Sequence, residues 1–267
     1  EEILPVAEAC GQTAEQVRSC LRRLVTEGLF ERQGAGRSAV YTATEAGASR
    51  LAEQHLRLRR AFAQDAAGRG WDRRWRLAAF AIPEARRAAR DAVRDTILSL
   101  GGAPIQGGLY ASPHPWEDEL RAAAKRLGVE DTLTLACTDD LEVGGVRDPR
   151  ALAASLWPLE EVAARYEAFV ATHAGVPEAL EAQRDRRERI TDSDFLPLAL
   201  TMALRYGRCS SIDPYLPPEL LPRPWPGRAA RDIVARSRRL ALQLRSGAGR
   251  PALFGYLDDV LDTIHHT

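Results

Sequence analysis

The sequence contains a single lysine (Lys125), a single methionine (Met202) and four widely separated cysteines. No two cysteines stand at a CxxC or Cys/His spacing, which argues against a metal site and favours reduced thiols in a cytoplasmic protein. No run approaches the roughly 18 uncharged apolar residues of a membrane helix, so we expect no membrane partner. Acidic and basic side chains balance at 37 each. The chain as a whole therefore has no field that attracts nucleic acid, and any DNA contact must be local.

Apolar residues make up 45% of the 267 residues, enough for the cores of two or three globular domains. The pattern of elements predicts a multidomain α+β protein. We place a winged helix-turn-helix at residues 1–67, a central domain at 68–147 and a helical C-terminal domain at 148–267.

The first segment opens with two predicted helices joined by a tight turn. A short helix over Pro5–Ala9 is followed by Gly11, and residues 13–16 form a Thr-x-x-Gln capping box. Apolar residues at 17, 21 and 24 give the second helix one buried face. Helix, glycine-containing turn and capped helix are typical of the helix-turn-helix.

A β-hairpin is predicted directly after the second helix. The β-prone segments 29–33 and 38–43 flank a glycine-rich tip that carries Arg37, and Thr44 is placed to cap a further helix. A hairpin in this position is the wing of a winged helix.

The polar face of the second helix and the wing supply the candidate DNA contacts. Arginine can grip guanine and glutamine can grip adenine, each through two hydrogen bonds, while a wing cation can reach a phosphate or the minor groove. The candidate residues are Thr13, Gln16, Arg18, Ser19, Arg22, Arg23, Arg37 and Tyr41.

Two alternatives stay open for this segment. The arginines could form an ordinary solvated helix face, and the winged helix could be a protein-interaction module. Residues 13–41 hold five arginines against three glutamates, so the excess of positive charge is small.

The central segment reads β-α-β-β-α-β, the ferredoxin-like order. Strands are predicted at 76–82, 103–106, 108–112 and 132–138, with helices up to about 100 and over 116–127.

The last segment is predicted to be helical, with one irregular stretch. Helices are expected over 195–206, 227–244 and 251–264, while residues 172–194 fit either a mobile connection or an exposed helix. Asp213–Pro226 holds six prolines and must run as an extended, packed loop. No Ser-His-Asp order, phosphate loop or metal-spaced histidine set occurs, so we expect neither an enzyme nor a cofactor.

Three groups of residues resemble the PaaX family, the phenylacetate-degradation repressors. They are Trp75–Leu77 with Phe80–Glu84, the segment Gly108–Pro113, and the proline-rich Asp213–Gly227. The resemblance runs nearly end to end and is weakest at the start, where we expect the family's first helix to be shortened or missing.

The resemblance implies a homodimeric repressor that binds a palindromic double-stranded DNA operator and is released by a small metabolite, such as an aryl- or acyl-CoA thioester. The family's central domain is also similar to CRISPR-adaptation subunits, some of which are metal-dependent nucleases with an aspartate ending the first strand. Here that strand ends at 80–83 without a carboxylate, and Asp91 and Asp95 fall within a helix. A nuclease is therefore disfavoured.

A thioester effector needs cations for phosphates beside an apolar slot. The entry to the central domain offers both, although the tryptophans there could equally be packing residues. The candidate effector-binding residues are Trp71, Arg73, Arg74, Trp75 and Arg76, and the Asp213–Gly227 loop is the other possible joint.

Overall fold

The computed structural model describes residues 3–34, 36, 39–52, 59, 62 and 70–246. The chain divides into two compact units, each built from separate stretches of sequence. Unit 1 comprises Glu1–Phe62, Glu167–Arg208 and Arg228–Thr267, and unit 2 comprises Ala63–Tyr166 and Cys209–Gly227. The three-domain division at 67/68 and 147/148 stays a prediction.

The N-terminal part of unit 1 is a pair of helices, a β-hairpin and a third helix. Strands β1 and β2 pair antiparallel, with Phe30 opposite Ala43 and Gln33 opposite Val40. The elements are α1 (Ile3–Ala9), α2 (Ala14–Thr26), β1 (Phe30–Gln33), β2 (Val40–Ala43) and α3 (residues 45–52).

Glycines lie in the turns on both sides of α2. Gly11, in the turn before α2, has φ +72°. After α2, Gly28 takes φ +71°, its N–H donates to Val25 O at 3.0 Å, and the N–H of Leu29 donates to Leu24 O at 3.0 Å. These two bonds are a Schellman motif, which ends the helix and turns the chain into β1.

Beyond residue 158, the described part of the chain contains four α-helices: α7 Leu159–His173, α8 Val176–Asp185, α9 Asp192–Ser210 and α10 Pro226–Leu244. One side of the pair formed by α8 and α9 buries Leu180 and Phe195, which share a core with Leu240 and Leu244 of α10. The alternatives left open for 172–194 are thereby resolved, because most of that stretch is helical. The helix predicted over 251–264 lies outside the described residues.

Unit 2 is built on a four-stranded antiparallel sheet with strand order β4-β5-β3-β6. The β-α-β-β-α-β succession and this strand order are those of a ferredoxin-like fold, so the predicted element order is confirmed. The elements are β3 Trp75–Phe80, α4 Arg87–Ser99, β4 Ala103–Gln106, β5 Leu109–Ser112, α5 Glu117–Leu127 and β6 Leu133–Thr138.

Both faces of this sheet are covered by other parts of unit 2. Side chains alternate between the two faces along each strand, so each strand contributes to both. Ala78 of β3 and Tyr110 of β5 pack with Leu120 and other apolar residues of α4 and α5. On the opposite face Trp75 and Ala111 pack against α6 (Pro149–Leu156) and the proline-rich segment 213–226. The sheet is thus the middle layer of unit 2.

The proline-rich segment is packed, as predicted, and contains one short 3₁₀ turn, Pro218–Leu220. Its Leu216 and Leu220 are almost fully buried in the core that contains Trp75. Asp213 is buried too; its carboxylate accepts hydrogen bonds from the Tyr166 hydroxyl at 2.8 Å and the Tyr215 N–H at 2.7 Å.

Within the described part of the chain, no helix is both long and apolar enough to cross a membrane.

Candidate nucleic-acid interface

Helix α2 begins with the predicted capping box. The Thr13 hydroxyl accepts from the Gln16 N–H at 3.2 Å, and the Gln16 side-chain oxygen accepts from the Thr13 N–H at 2.7 Å. Two otherwise unpaired amides at the helix start are thereby satisfied. Gln16 would grip an adenine through the same oxygen, so a base contact must either share that oxygen with the Thr13 N–H or open the box.

The polar face of α2 is exposed over its full length. Val17, Leu21 and Leu24 are half-buried on the other side of the helix. This division follows the helical period of the apolar residues. The exposed face carries Arg18, Ser19, Arg22 and Arg23.

Glutamates hold these arginines in ion pairs. Glu15 lies 3.0 Å from Arg22 and 3.4 Å from Arg18, and Glu27 lies 3.8 Å from Arg23. The hydrogen bond from Arg22, reinforced by its charge, lowers the pKa of Glu15. The sequence reasoning missed Glu15, although this residue stands one helical turn before Arg18 and two turns before Arg22.

The hairpin contributes a mixed surface. Tyr41 is half-buried on β2 and stands opposite Arg32 of β1, which is exposed. At the tip, Gly34 and Gly36 have φ values of +81° and +62°, a conformation that favours glycine. The wing candidate Arg37 lies outside the described residues.

We expect Thr13→Ala to lower the stability of α2 by about 1 kcal/mol, because the Gln16 amide loses its acceptor. Faster hydrogen exchange of the first α2 amides would measure the loss. Ser19→Ala is the matched control, since it lies within the helix and alanine is the better helix former. Equal exchange in the Thr13 variant and the wild type would place the start of the helix elsewhere.

The candidate effector-binding residues lie at the start of β3. Trp75 is 1% exposed; its ring stacks on Trp157 at 6.2 Å and meets Trp71 edge-on at 5.0 Å. The half-buried Trp71 donates its indole N–H to Arg74 O at 3.1 Å. Trp157, which lies 82 positions along the chain from Trp75, was not predicted at this site.

The three arginines of this segment have different environments. Arg76 is buried, pairs with Asp72 through two hydrogen bonds and donates to Pro113 O at 3.2 Å. The bond to Asp72 raises the pKa of Arg76 and lowers that of Asp72. Arg73 and Arg74 are exposed, and Arg73 has φ +61°.

Comparison with known proteins gives the family. Residues 68–153 match the PaaX protein central Cas2-like domain, and residues 157–248 match the PaaX-like protein C-terminal domain. The chain belongs to the PaaX family. It is 26% identical over 227 residues to the transcriptional repressor PaaX of Escherichia coli (strain K12). The aligned region covers 85% of this chain and 68% of that protein.

A solved structure shares the fold. The uncharacterized protein Rv0674 from Mycobacterium tuberculosis superposes with a TM-score of 0.51 at 19% identity, covering 99% of this chain and 90% of that one. In the Cas2-like domain of this PaaX-family chain, Asp91 pairs with Arg87 and Arg94. Over the described residues, no three His, Cys, Asp or Glu side chains come together as metal ligands.

Proposed function

We propose that this PaaX-family chain is a cytoplasmic, non-enzymatic transcriptional repressor whose residues 1–67 form a winged helix-turn-helix. The observation that carries the proposal is the exposed arginine face of α2, which follows a glycine turn and precedes a hairpin. Similarity to a named transcriptional repressor supports the same function.

In this proposal α2 lies in the major groove and its arginines read base edges. Arg18 and Arg22 project from the same face as Ser19, and a guanidinium can donate two hydrogen bonds to one guanine. Arg23, Arg37 and Tyr41 would contact the backbone or the minor groove. Because Glu15 pairs with Arg18 and Arg22, binding must exchange these ion pairs for DNA contacts.

A single small interface with so little excess charge would bind weakly alone. We therefore propose a homodimer that places two copies of α2 about 34–36 Å apart, or a multiple of that, on a palindromic operator. The test is selection of bound fragments from sheared genomic DNA by the purified protein. Enrichment of one inverted repeat is expected, and a selection that enriches no sequence would contradict the proposal.

We expect Arg22→Ala to weaken operator binding by about 1–3 kcal/mol and to relax the preference at one base pair. Glu15→Gln should act in the opposite direction, since it releases Arg18 and Arg22 from their common partner and removes a negative charge near the phosphates. Fluorescence anisotropy with the selected operator and with single-base variants of it would measure both effects.

Two further variants distinguish recognition of bases from electrostatic attraction to the phosphates. Arg37→Ala should weaken all sequences evenly and reduce the salt dependence, as expected of a phosphate contact. Gln16→Ala should alter the base preference if the capping box opens on DNA. Wild-type affinity and preference in the Arg22 and Gln16 variants would reject the assignment of α2 as the recognition helix.

We also propose that a small metabolite, an aryl- or acyl-CoA thioester in the first instance, releases the DNA. Such a ligand must bind the DNA-free conformation more tightly, by about 1–3 kcal/mol in typical cases. The exposed Arg73 and Arg74 beside the half-buried Trp71 are the groups of the predicted site that a phosphate and an acyl group could reach. Trp75 and Arg76 would then hold the segment in place from below.

Arg73→Ala/Arg74→Ala is expected to raise the thioester concentration needed for release at least severalfold, because two cations near the phosphates are lost. Titration of phenylacetyl-CoA and related thioesters, followed by operator anisotropy and tryptophan fluorescence, would measure it. Arg121→Ala is the matched control, an exposed arginine on α5. Equal release of DNA from the double variant and the wild type would show that the effector site lies elsewhere. If no thioester releases DNA, this class of effector is excluded.

The second candidate is a scaffold whose winged helix binds another protein. The pairing of every α2 arginine with a glutamate, together with the zero net charge of the chain, favours it. The fragment selection described above distinguishes the two.

A further inference from the structure

An apolar pocket lies between helices α8, α9 and α10 of unit 1. The space between its walls, together with the open mouth, measures about 490 Å³. Nine of its lining residues are apolar, and the two polar ones are Ser237 and Arg238 of α10. Neither the candidate DNA contacts nor the Trp71–Arg76 segment contributes to this lining.

The walls of the pocket are buried and its mouth is exposed. Leu180, Phe195 and Met202 are 4%, 2% and 7% exposed, whereas Leu198 is 44% exposed. An apolar ligand entering past Leu198 would thus meet a deep wall made of an aromatic ring, a thioether and aliphatic chains. Such a wall accepts a compact ring or a branched alkyl group without leaving polar atoms unpaired.

Ser237 gives the pocket a polar group in need of a partner. The residue is 4% exposed, and its hydroxyl is buried without a hydrogen-bond partner among the described residues. A buried hydroxyl that forms no hydrogen bond costs free energy, which a ligand acceptor would recover. Arg238, the other polar lining residue, already has interactions of its own. The unused hydroxyl of Ser237 therefore selects a ligand that carries one acceptor.

We propose that this pocket binds a small carbonyl compound with an aromatic or branched-alkyl body. The body would fill the space between Phe195, Met202 and Leu180. The Ser237 hydroxyl oxygen has almost no exposed surface in this structure, so a rotation of that side chain would bring it to the ligand's carbonyl oxygen, which accepts the hydrogen bond. The proposal does not rest on DNA binding, and it assigns a ligand site to the PaaX-like C-terminal domain, residues 157–248.

Two probes of matched shape test the role of the hydroxyl. Acetophenone carries a carbonyl oxygen where ethylbenzene carries only hydrogen. In Ser237→Ala the affinity for acetophenone, measured by ligand-observed NMR titration of the full chain, should fall about threefold to tenfold, as expected for one net hydrogen bond. The affinity for ethylbenzene should stay the same or rise. Ser193→Ala, at the exposed start of α9, is the matched control.

Stability separates this result from simple damage to the fold. Ser237→Ala replaces an unpaired buried hydroxyl by hydrogen, so the melting temperature without ligand should be unchanged or higher. A lower melting temperature, together with an equal loss of affinity for both probes, would contradict the proposed hydrogen bond.

Filling the pocket tests its location. Ala203→Phe should abolish binding of both probes, and Leu198→Trp at the exposed mouth provides a second variant that does not disturb the buried wall. Retained binding in a folded filling variant would overturn the proposal. So would failure of the wild-type protein to bind either probe up to its solubility limit, or equal acetophenone affinity in Ser237→Ala and wild type.

Discussion

Replacing Trp75 by alanine is expected to lower the free energy of unfolding by about 3–5 kcal/mol. The indole is 1% exposed and lies between the rings of Trp71 and Trp157 in the core of unit 2. Its removal would leave a cavity between the sheet and the proline-rich segment that these neighbours cannot fill. Urea unfolding followed by far-ultraviolet circular dichroism would measure the loss.

The matched control is Arg74→Ala, one residue earlier and exposed, which should change stability by no more than about 0.5 kcal/mol. Trp75→Phe should fall between the two, because a smaller aromatic ring keeps part of the stacking on Trp157. A Trp75→Ala variant as stable as the wild type would mean that the core can close around the missing ring. Trp75 could then be a ligand contact and not a structural one.

The prediction bears on how the effector site should be tested. Because Trp75 holds two layers of unit 2 together, its loss would impair any activity, and a defect in this variant could not locate a ligand. Arg76 has the same difficulty, since its buried guanidinium links Asp72 with Pro113. Exposed Arg73 and Arg74 are the positions at which a lost response would report on binding.

Sequence reasoning succeeded for features set by neighbouring residues. The capping box at Thr13 and Gln16 needs only a four-residue spacing, and the β-α-β-β-α-β succession follows from apolar periodicity within each element. The packed course of the proline-rich segment was predictable because proline excludes regular structure.

Features that depend on distant residues were missed. The alternation of Trp75 and Leu77 with Ala78 and Phe80 indicates that both faces of β3 are buried, but not what covers each face. The cover on one face, α6 and the segment 213–226, comes from beyond the predicted central domain. The pocket above Ser237 likewise joins three helices whose relative placement no local pattern fixes.

The ion pairs of Glu15 were missed for a different reason. Their partners are close in sequence, yet whether exposed side chains pair depends on rotamers of similar energy. The spacing from Glu15 to Arg18 and Arg22 was the available signal. The carboxylate of Glu15 reduces the positive charge of the face on which the DNA-binding proposal depends.

Asp213→Ala is expected to cost roughly 2–5 kcal/mol, since it removes one acceptor from each of two buried donors. The Tyr166 hydroxyl and the Tyr215 N–H both donate to this carboxylate, and all three residues are at least nine-tenths buried. Tyr215 has φ +53°, an unfavourable backbone conformation for a residue with a side chain, and the bond from its N–H helps to hold it.

Asparagine separates the charge from the hydrogen bonds at this position. Asp213→Asn keeps an acceptor for the Tyr215 N–H, so it should cost clearly less than Asp213→Ala, while Asp139→Ala on an exposed loop should cost little. Leu216 and Leu220, which follow Asp213 in the chain, pack in the same core as Trp75. The double variant Asp213→Ala/Trp75→Ala should therefore cost less than the sum of the single variants, because either change alone loosens the same layer. Additive losses in urea unfolding would show that the Asp213 hydrogen bonds hold the proline-rich segment independently of its contact with the sheet.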